Sequence, residues 1–196
     1  HPAADNLFLY GTNKGTLKLC DLRISSSADT AADQVKNEYP GQKNFLSDFL
    51  CSYCGGDFAK QGRYIVSRDF LSLKIWDVCN AKKPLNTIVL SEGMKGKLTK
   101  SSKTGYFDKF GVTASPDGNT IATGSYSNTF HLIDQDGSNT QFELNYKKAT
   151  IAKNISGKQP PLGKVDYLKK TTALDYHPSR NAVAVASLNC FFLYNM

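Results

Sequence analysis

Residues 60–77 read Lys60-QGRYIVSRDFLSLKIW-Asp77. A turn rich in Lys, Gln and Gly opens the stretch. A β-prone segment follows through Tyr64, Ile65 and Val66, a polar Arg68-Asp69 interrupts it, and an alternating run resumes from Leu71. In that second run Leu71, Leu73, Ile75 and Asp77 fall on one side, and Ser72, Lys74 and Trp76 on the other. Two such runs across a short polar turn predict an antiparallel hairpin. Asp77 closes it, because Asp favours turns over continued pairing.

The same shape recurs on both sides. Upstream stands His1-Pro2, then Asn6-LFLYGTNKGTLKLC-Asp21; downstream come Ser115-Pro116-DGNTIATGSYSNTFHLI-Asp134 and His177-Pro178-SRNAVAVASLNCFFLY-Asn195. The closing residues lie 56, 57 and 61 positions apart. Helical periodicity is nearly absent, and only 44–52 reads as a turn or two of helix. A repeated β unit closed by a Trp-Asp pair marks a β-propeller blade. Trp76-Asp77 is the literal pair; Cys20-Asp21 and Ile133-Asp134 stand in its place elsewhere.

The expected architecture is therefore all-β, a WD-repeat β-propeller. Blade cores fall at 1–23, 51–90, 107–146 and 172–196. The polar segments 24–50, 91–106 and 147–171 read as loops. At a period of about 57 residues the chain holds an arc of three to four blades, short of the roughly four to eight that close a ring. Residues 1–196 are thus expected to be the C-terminal part of one propeller domain. A repeat signature of Asp21, Ser67, Asp69, Trp76, Asp77 and Asp134 is read as structural. Ser67, Asp69 and Trp76 are close enough in sequence to share a side-chain hydrogen-bond network, since buried polar groups must be paired.

Composition narrows the function classes. The chain has 196 residues, 40% of them hydrophobic, with 15 glycines and a net charge of +7. No apolar run approaches the ~18 residues of a membrane span. There is no charged-then-apolar leader, so no secretory signal is expected. Five cysteines at uneven spacing do not make a disulfide framework and fit a reducing compartment. Cys51 and Cys54 form a lone C-x-x-C, which lacks the second ligand pair of a structural zinc site. Lysines crowd the segments 91–106 and 147–171. With few interleaved stacking aromatics, nucleic acid is not an expected partner. The three histidines are His1, His131 and His177, and His1 and His177 each open a turn with Pro. Hydrolase, metalloprotease, phosphate-loop and dinucleotide signatures are all absent. No catalytic residue, metal or cofactor is expected, and the chain is not expected to be an enzyme.

Five strings resemble the family of WD-repeat regulatory subunits of protein phosphatase 2A, its B class. They are Lys14-GTLKLCDL-Arg23, Gly62-RYIVSRDFLSLKIW-Asp77, Phe107-DK-Phe110, Thr123-GSYSNT-Phe130 and Tyr176-HPSRNAVAVA-Ser187. The resemblance implies a seven-bladed propeller of which this is a part. It implies a non-catalytic subunit that joins a phosphatase catalytic subunit and a helical-repeat scaffold, and presents phosphoprotein substrates. A cytoplasmic location, with the nucleus as a second compartment, goes with it. Phe107 and Lys109 match the family's F-D-K-F motif and are the implied partner contacts. Phe107 either packs in the core with Phe110 or faces solvent as an anchor of the kind found at interface hot spots. Where the family carries a Tyr-Glu pair upstream, this chain has Ser101-Ser102-Lys103-Thr104, which removes a carboxylate and adds a cation. The other class left open is a WD-repeat adaptor unrelated to phosphatases.

Overall fold

Short alternating runs separated by Gly, Asn, Asp and Pro favour strands, and among the described residues the regular structure is almost all β, with a 3-10 turn at Lys60–Gly62. The computed structural model describes residues 1–24, 33–36, 50–90, 108–144, 150–152 and 166–195. Two compact units divide it, His1–Lys95 and Gly96–Met196.

The first unit has two antiparallel sheets. One runs β1 (Leu7–Gly11), β2 (Thr16–Asp21), β3 (Asp33–Lys36); the other runs β4 (Gly55–Ala59), β5 (Tyr64–Arg68), β6 (Ser72–Asp77), β7 (Asn86–Val89). The second unit also has two. One holds β8 (Val112–Ala114), β9 (Thr120–Gly124), β10 (Thr129–Asp134), β11 (Asn139–Glu143) and β12 (Thr150–Ala152); the other holds β13 (Thr171–Tyr176), β14 (Ala182–Ser187) and β15 (Cys190–Asn195). In every sheet each strand pairs with its neighbour in sequence. Four meanders therefore stand where four repeats were expected.

Two segments read as loops contain strands. β3 lies within 24–50 and pairs with β2, and β12 lies within 147–171 and pairs with β11. Asp33-Gln34-Val35-Lys36 has one apolar residue and hence no alternation to read. An edge strand is held mainly by its main-chain ladder, which side-chain patterning does not reveal. Of the stretch 44–52 read as helical, residues 44–49 lie outside the described residues, as do the cationic 101–104.

β6 pairs with β5 in the register Tyr64↔Asp77, Ile65↔Trp76. Both of its faces are covered, with Leu73, Ile75 and Trp76 all buried. On one side Trp76 joins Leu17 and Ile65, with Leu9, Tyr53 and Phe58 packed around them. This cluster fastens the two sheets of the first unit. In the second unit Phe130, Leu132, Val183 and Val185 form the corresponding core, flanked by Phe142, Phe192 and Tyr194. Phe130 stacks on Phe142 at 5.1 Å between centroids. Each such side chain contributes about 1.5–3 kcal/mol by leaving water.

Tyr53 shows how closely the sheets of the first unit approach. A Cβ at Gly11 would lie 2.0 Å from its ring, and one at Gly56 would lie 2.2 Å from its hydroxyl oxygen. Bare backbone on β1 and β4 makes the slot that the ring fills. Burial, with Asp57 and the Cys54 thiol nearby, pushes the phenol up to about 12.

Candidate functional site

Asp108, Lys109 and Phe110 lead into β8 (Val112–Ala114), and the β9–β10 turn and residues 166–172 meet them. Phe110 is buried, at 1% exposure. Its ring meets Tyr126 edge to face at 4.8 Å, and Tyr126 meets Tyr167 in the same way at 5.2 Å. Asp108 forms an ion pair with Lys170. The Gly111 amide donates to the Thr172 carbonyl at 2.9 Å. Residues 166–171 thus run as a strap between the lead-in to β8 and the β9–β10 turn. Gly124 makes room for the strap, since a Cβ there would come within 1.9 Å of the Thr171 carbonyl oxygen.

The turn itself is built from two left-handed residues, Ser127 (φ 59) and Asn128 (φ 58). That geometry is open to Asn, whose short polar side chain tolerates it. It points both amides outward: Ser127 N donates to Asp166 O and Asn128 N to Lys169 O, each at 3.1 Å. Asp166 N returns a bond to Ser127 Oγ at 3.0 Å. Asn128 Nδ2 donates to Leu144 O at 2.5 Å. Ser187 Oγ, 59 residues away, donates to Asn128 Oδ1 at 2.5 Å and lies 3.1 Å from the Lys170 carbonyl oxygen. Asn128 and Ser187 are both buried. Their bonds join the ends of two sheets, and polar pairs so shielded are costly to leave half made.

Lys109 is exposed on this frame. Among the described residues, no carboxylate forms an ion pair with it. Phe107 lies outside the described residues, whereas Phe110 takes the core position.

The residues of the repeat signature are distributed as follows. Trp76 Nε1 donates to Ser67 Oγ at 2.8 Å. Asp69 works at the hairpin turn, accepting from Leu71 N (2.9 Å), Ser72 N (2.6 Å) and Ser72 Oγ (2.8 Å), and pairing with Lys74 at 3.2 Å. Asp21 accepts the Arg23 amide at 2.9 Å and pairs with its guanidinium at 2.7 Å. That arginine holds its carboxyl below the usual range. Asp77 accepts the Cys79 amide at 2.8 Å and pairs with Arg63 at 3.0 Å. Asp134 is exposed and lies 3.3 Å from Thr120 Oγ1. Asp21 and Asp77 therefore make the same turn two residues on, and Asp134 ends its strand differently.

The histidines serve local geometry. His1 Nδ1 accepts Ala3 N, and His177 Nδ1 accepts Ser179 N, both at 3.1 Å. His131 Nδ1 lies 2.9 Å from Asn139 Oδ1 across the β10–β11 pair. Cys51 is buried and Cys54 half-buried, both as free thiols. Among the described residues, no three His, Cys, Asp or Glu side chains gather as a metal site. No helix among them is long and apolar enough to cross a membrane. The arrangement offers recognition by charge: an exposed cation, Lys109, on a hydrogen-bonded frame. Sequence reasoning missed Asn128, Ser187 and the Asp108–Lys170 pair. The Ser-Asn-Thr string hinted at a left-handed turn, but nothing in it named the partners.

Meander sheets repeating at this spacing, each ending near an Asp or Asn, define the class: the fold is that of WD-repeat β-propeller blades. Among solved structures, Raptor of Chaetomium thermophilum superposes with a TM-score of 0.64 over 97% of this chain and 14% of that one. At 15% identity this likeness concerns the fold alone. No family model matches the chain. Curated relatives make the likeness particular. The chain is 37% identical over 99% of its length to the serine/threonine-protein phosphatase 2A regulatory subunit phr2AB of Dictyostelium discoideum. It is 31% identical to the protein phosphatase PP2A 55 kDa regulatory subunit of Drosophila melanogaster, over 99% of its length. It is 28% identical, again over 99%, to the beta isoform of the 55 kDa regulatory subunit of phosphatase 2A from Carassius auratus. The chain is similar along nearly its whole length to these phosphatase 2A regulatory subunits, and it spans 44%, 42% and 47% of theirs.

Proposed function

We propose that this chain is the substrate-facing part of a regulatory, non-catalytic subunit of protein phosphatase 2A. In this reading its four sheets are blades of one larger propeller. That propeller joins a catalytic and a scaffold subunit and presents phosphoproteins to them. The observation that carries the reading is the 37% identity along 99% of the chain to a regulatory subunit of that phosphatase. Phe107 and Lys109 are the contacts, and the exposure of Lys109 on a rigid frame supports that role. A cation at such a rim steers acidic partners and raises the encounter rate more than the affinity. All five cysteines are free thiols, which supports action in the reducing cytoplasm, with the nucleus as a second compartment.

Co-purification of the full-length protein from cells tests the assembly. Catalytic and scaffold subunits are both expected in the complex. Their joint absence from a clean pulldown would favour a phosphatase-independent adaptor. In the assembled enzyme, combined Phe107→Ala and Lys109→Ala should weaken phosphoprotein turnover by about tenfold, the loss of one modest hot spot, with assembly intact. Unchanged turnover would remove both residues from the contact surface.

A further inference from the structure

We propose that the outer edge of β7 takes an extended segment of a partner protein as a further strand of its sheet. The fitting segment carries apolar side chains at alternate positions and then two acidic residues. This docking edge is separate from Lys109 and does not depend on its role.

The parity of the ladder shows which groups are on offer. Leu90 N donates to the Leu71 carbonyl at 2.8 Å, and bonded residues alternate along an antiparallel pair. The amides and carbonyls of Val89 and Thr87 therefore point away from β6. Among the described residues no strand meets them. β11 holds the same place in the next repeat. There Leu144 N donates to the Asn128 carbonyl at 2.8 Å, so Glu143 and Gln141 face outward. β12 pairs with both of them, as Glu143↔Thr150 and Gln141↔Ala152. The fold itself thus shows what an edge of this parity accepts: a short strand running antiparallel.

The side chains say which strand β7 would accept. Open edges are commonly blunted by charge, by proline or by a cover. β7 reads Asn-Thr-Ile-Val, with neither charge nor proline. Leu85 at 60% and Val89 at 44% stand exposed, with exposed Thr87 between them. The three share one face, because side chains alternate along an extended chain. Pro84 has no amide to give and Leu85 N is bonded to the Ile75 carbonyl at 2.8 Å, so the open ladder ends there. Just ahead of it Lys82 and Lys83 are both exposed. Among the described residues neither forms an ion pair. An antiparallel occupant meets these groups in order. Its main chain bonds Val89 and Thr87, its side chains opposite Val89 and Leu85 are apolar, and its acids reach the two lysines. Strand addition of this kind draws affinity from the main chain and specificity from alternate side chains.

The test titrates the full-length protein into a labelled, acetylated peptide, Val-Ser-Thr-Ser-Val-Ser-Glu-Glu. Leu85→Ser should weaken binding about tenfold, part of what burying a leucine contributes. Combined Lys82→Ala and Lys83→Ala should weaken it about as much and remove its salt dependence. The ladder is read without altering the protein. N-methylation of the peptide threonine, whose amide would face Thr87, should cost at least about tenfold. N-methylation of the serine after it, whose amide points to water, should leave affinity within about twofold. No binding of the parent peptide overturns the proposal. So does equal loss from the two methylated peptides, or a Leu85→Ser protein that binds as before. Affinity indifferent to salt and to the lysine pair overturns the acidic occupant.

Discussion

The β5–β6 and β9–β10 hairpins occupy the same place in successive repeats, yet they satisfy their polar groups at different ranges. In the first, Ser67 accepts the Trp76 indole N–H at 2.8 Å, nine residues away. In the second, Ile133 replaces the indole, and Thr123 Oγ1 donates instead to the Gly111 carbonyl at 2.8 Å. The first turn is held chiefly by its own Asp69, which bonds Leu71, Ser72 and Lys74, with Leu90 N reaching the Leu71 carbonyl at 2.8 Å. The second has its own Thr129 bonds to Ser125 and Tyr126 and adds several partners from outside: Leu144, the strap and Ser187. A hairpin capped largely by its own carboxylate is closed locally. One that needs distant partners gathers several segments at one place, and there a recognition surface can be built.

The largest expected effect sets the two cores against each other. Trp76→Ala should cost about 3–5 kcal/mol, because it leaves a cavity and strands Ser67. Ile133→Ala should cost about 2–4 kcal/mol, with no polar partner orphaned. Chemical denaturation of the full-length protein measures both, and equal costs would break the distinction. Next comes Gly56→Ala, expected to cost about 1–3 kcal/mol through overpacking. Its Cβ would meet Tyr53 Oη at 2.2 Å and the Val66 carbonyl at 2.9 Å. Adding Tyr53→Phe should recover part of that loss. No recovery would mean that the Val66 main chain, not the phenol, limits the slot.

Hydrogen exchange sharpens the turn comparison at smaller cost. Asp69→Ala should speed exchange at Leu71 and Ser72 alone. Asn128→Ala should speed it at Asn128, Thr171 and the Ser187 end of β14 together. Confinement of the second effect to the β9–β10 turn would deny the long-range closure. The smallest effect is on pH dependence. Tyr53 moves from 10.0 to about 12 on folding, so the folded state favours the neutral phenol. Its stabilising share is complete below pH 10 and is lost as pH rises toward about 12. The unfolding midpoint should fall across that window, and Tyr53→Phe should flatten the fall. An unchanged slope would place the alkaline sensitivity elsewhere, with Tyr176 next, since burial raises its phenol too.

Much of the fold was legible because its signals are local. Alternation in 71–77 gave β6, and His-Pro and Asp at fixed offsets gave the turns. β3 and β12 were not legible, because short edge strands need only a neighbour's ladder. Within the site, Lys109 could be named from its motif. The Asn128–Ser187 bond could not, since its partners lie 59 residues apart.

The order of hairpins, their four-fold recurrence and the family likeness were determined by the chain alone, through periodicity and turn chemistry acting over a few residues. Which side chains meet at the lead-in to β8 was decided only by the tertiary structure. Asp108 and Lys170 are 62 positions apart and Asn128 and Ser187 are 59. Hydrogen bonds and ion pairs act over a few ångströms of space, and at such separations only the packing of sheets brings the partners within reach.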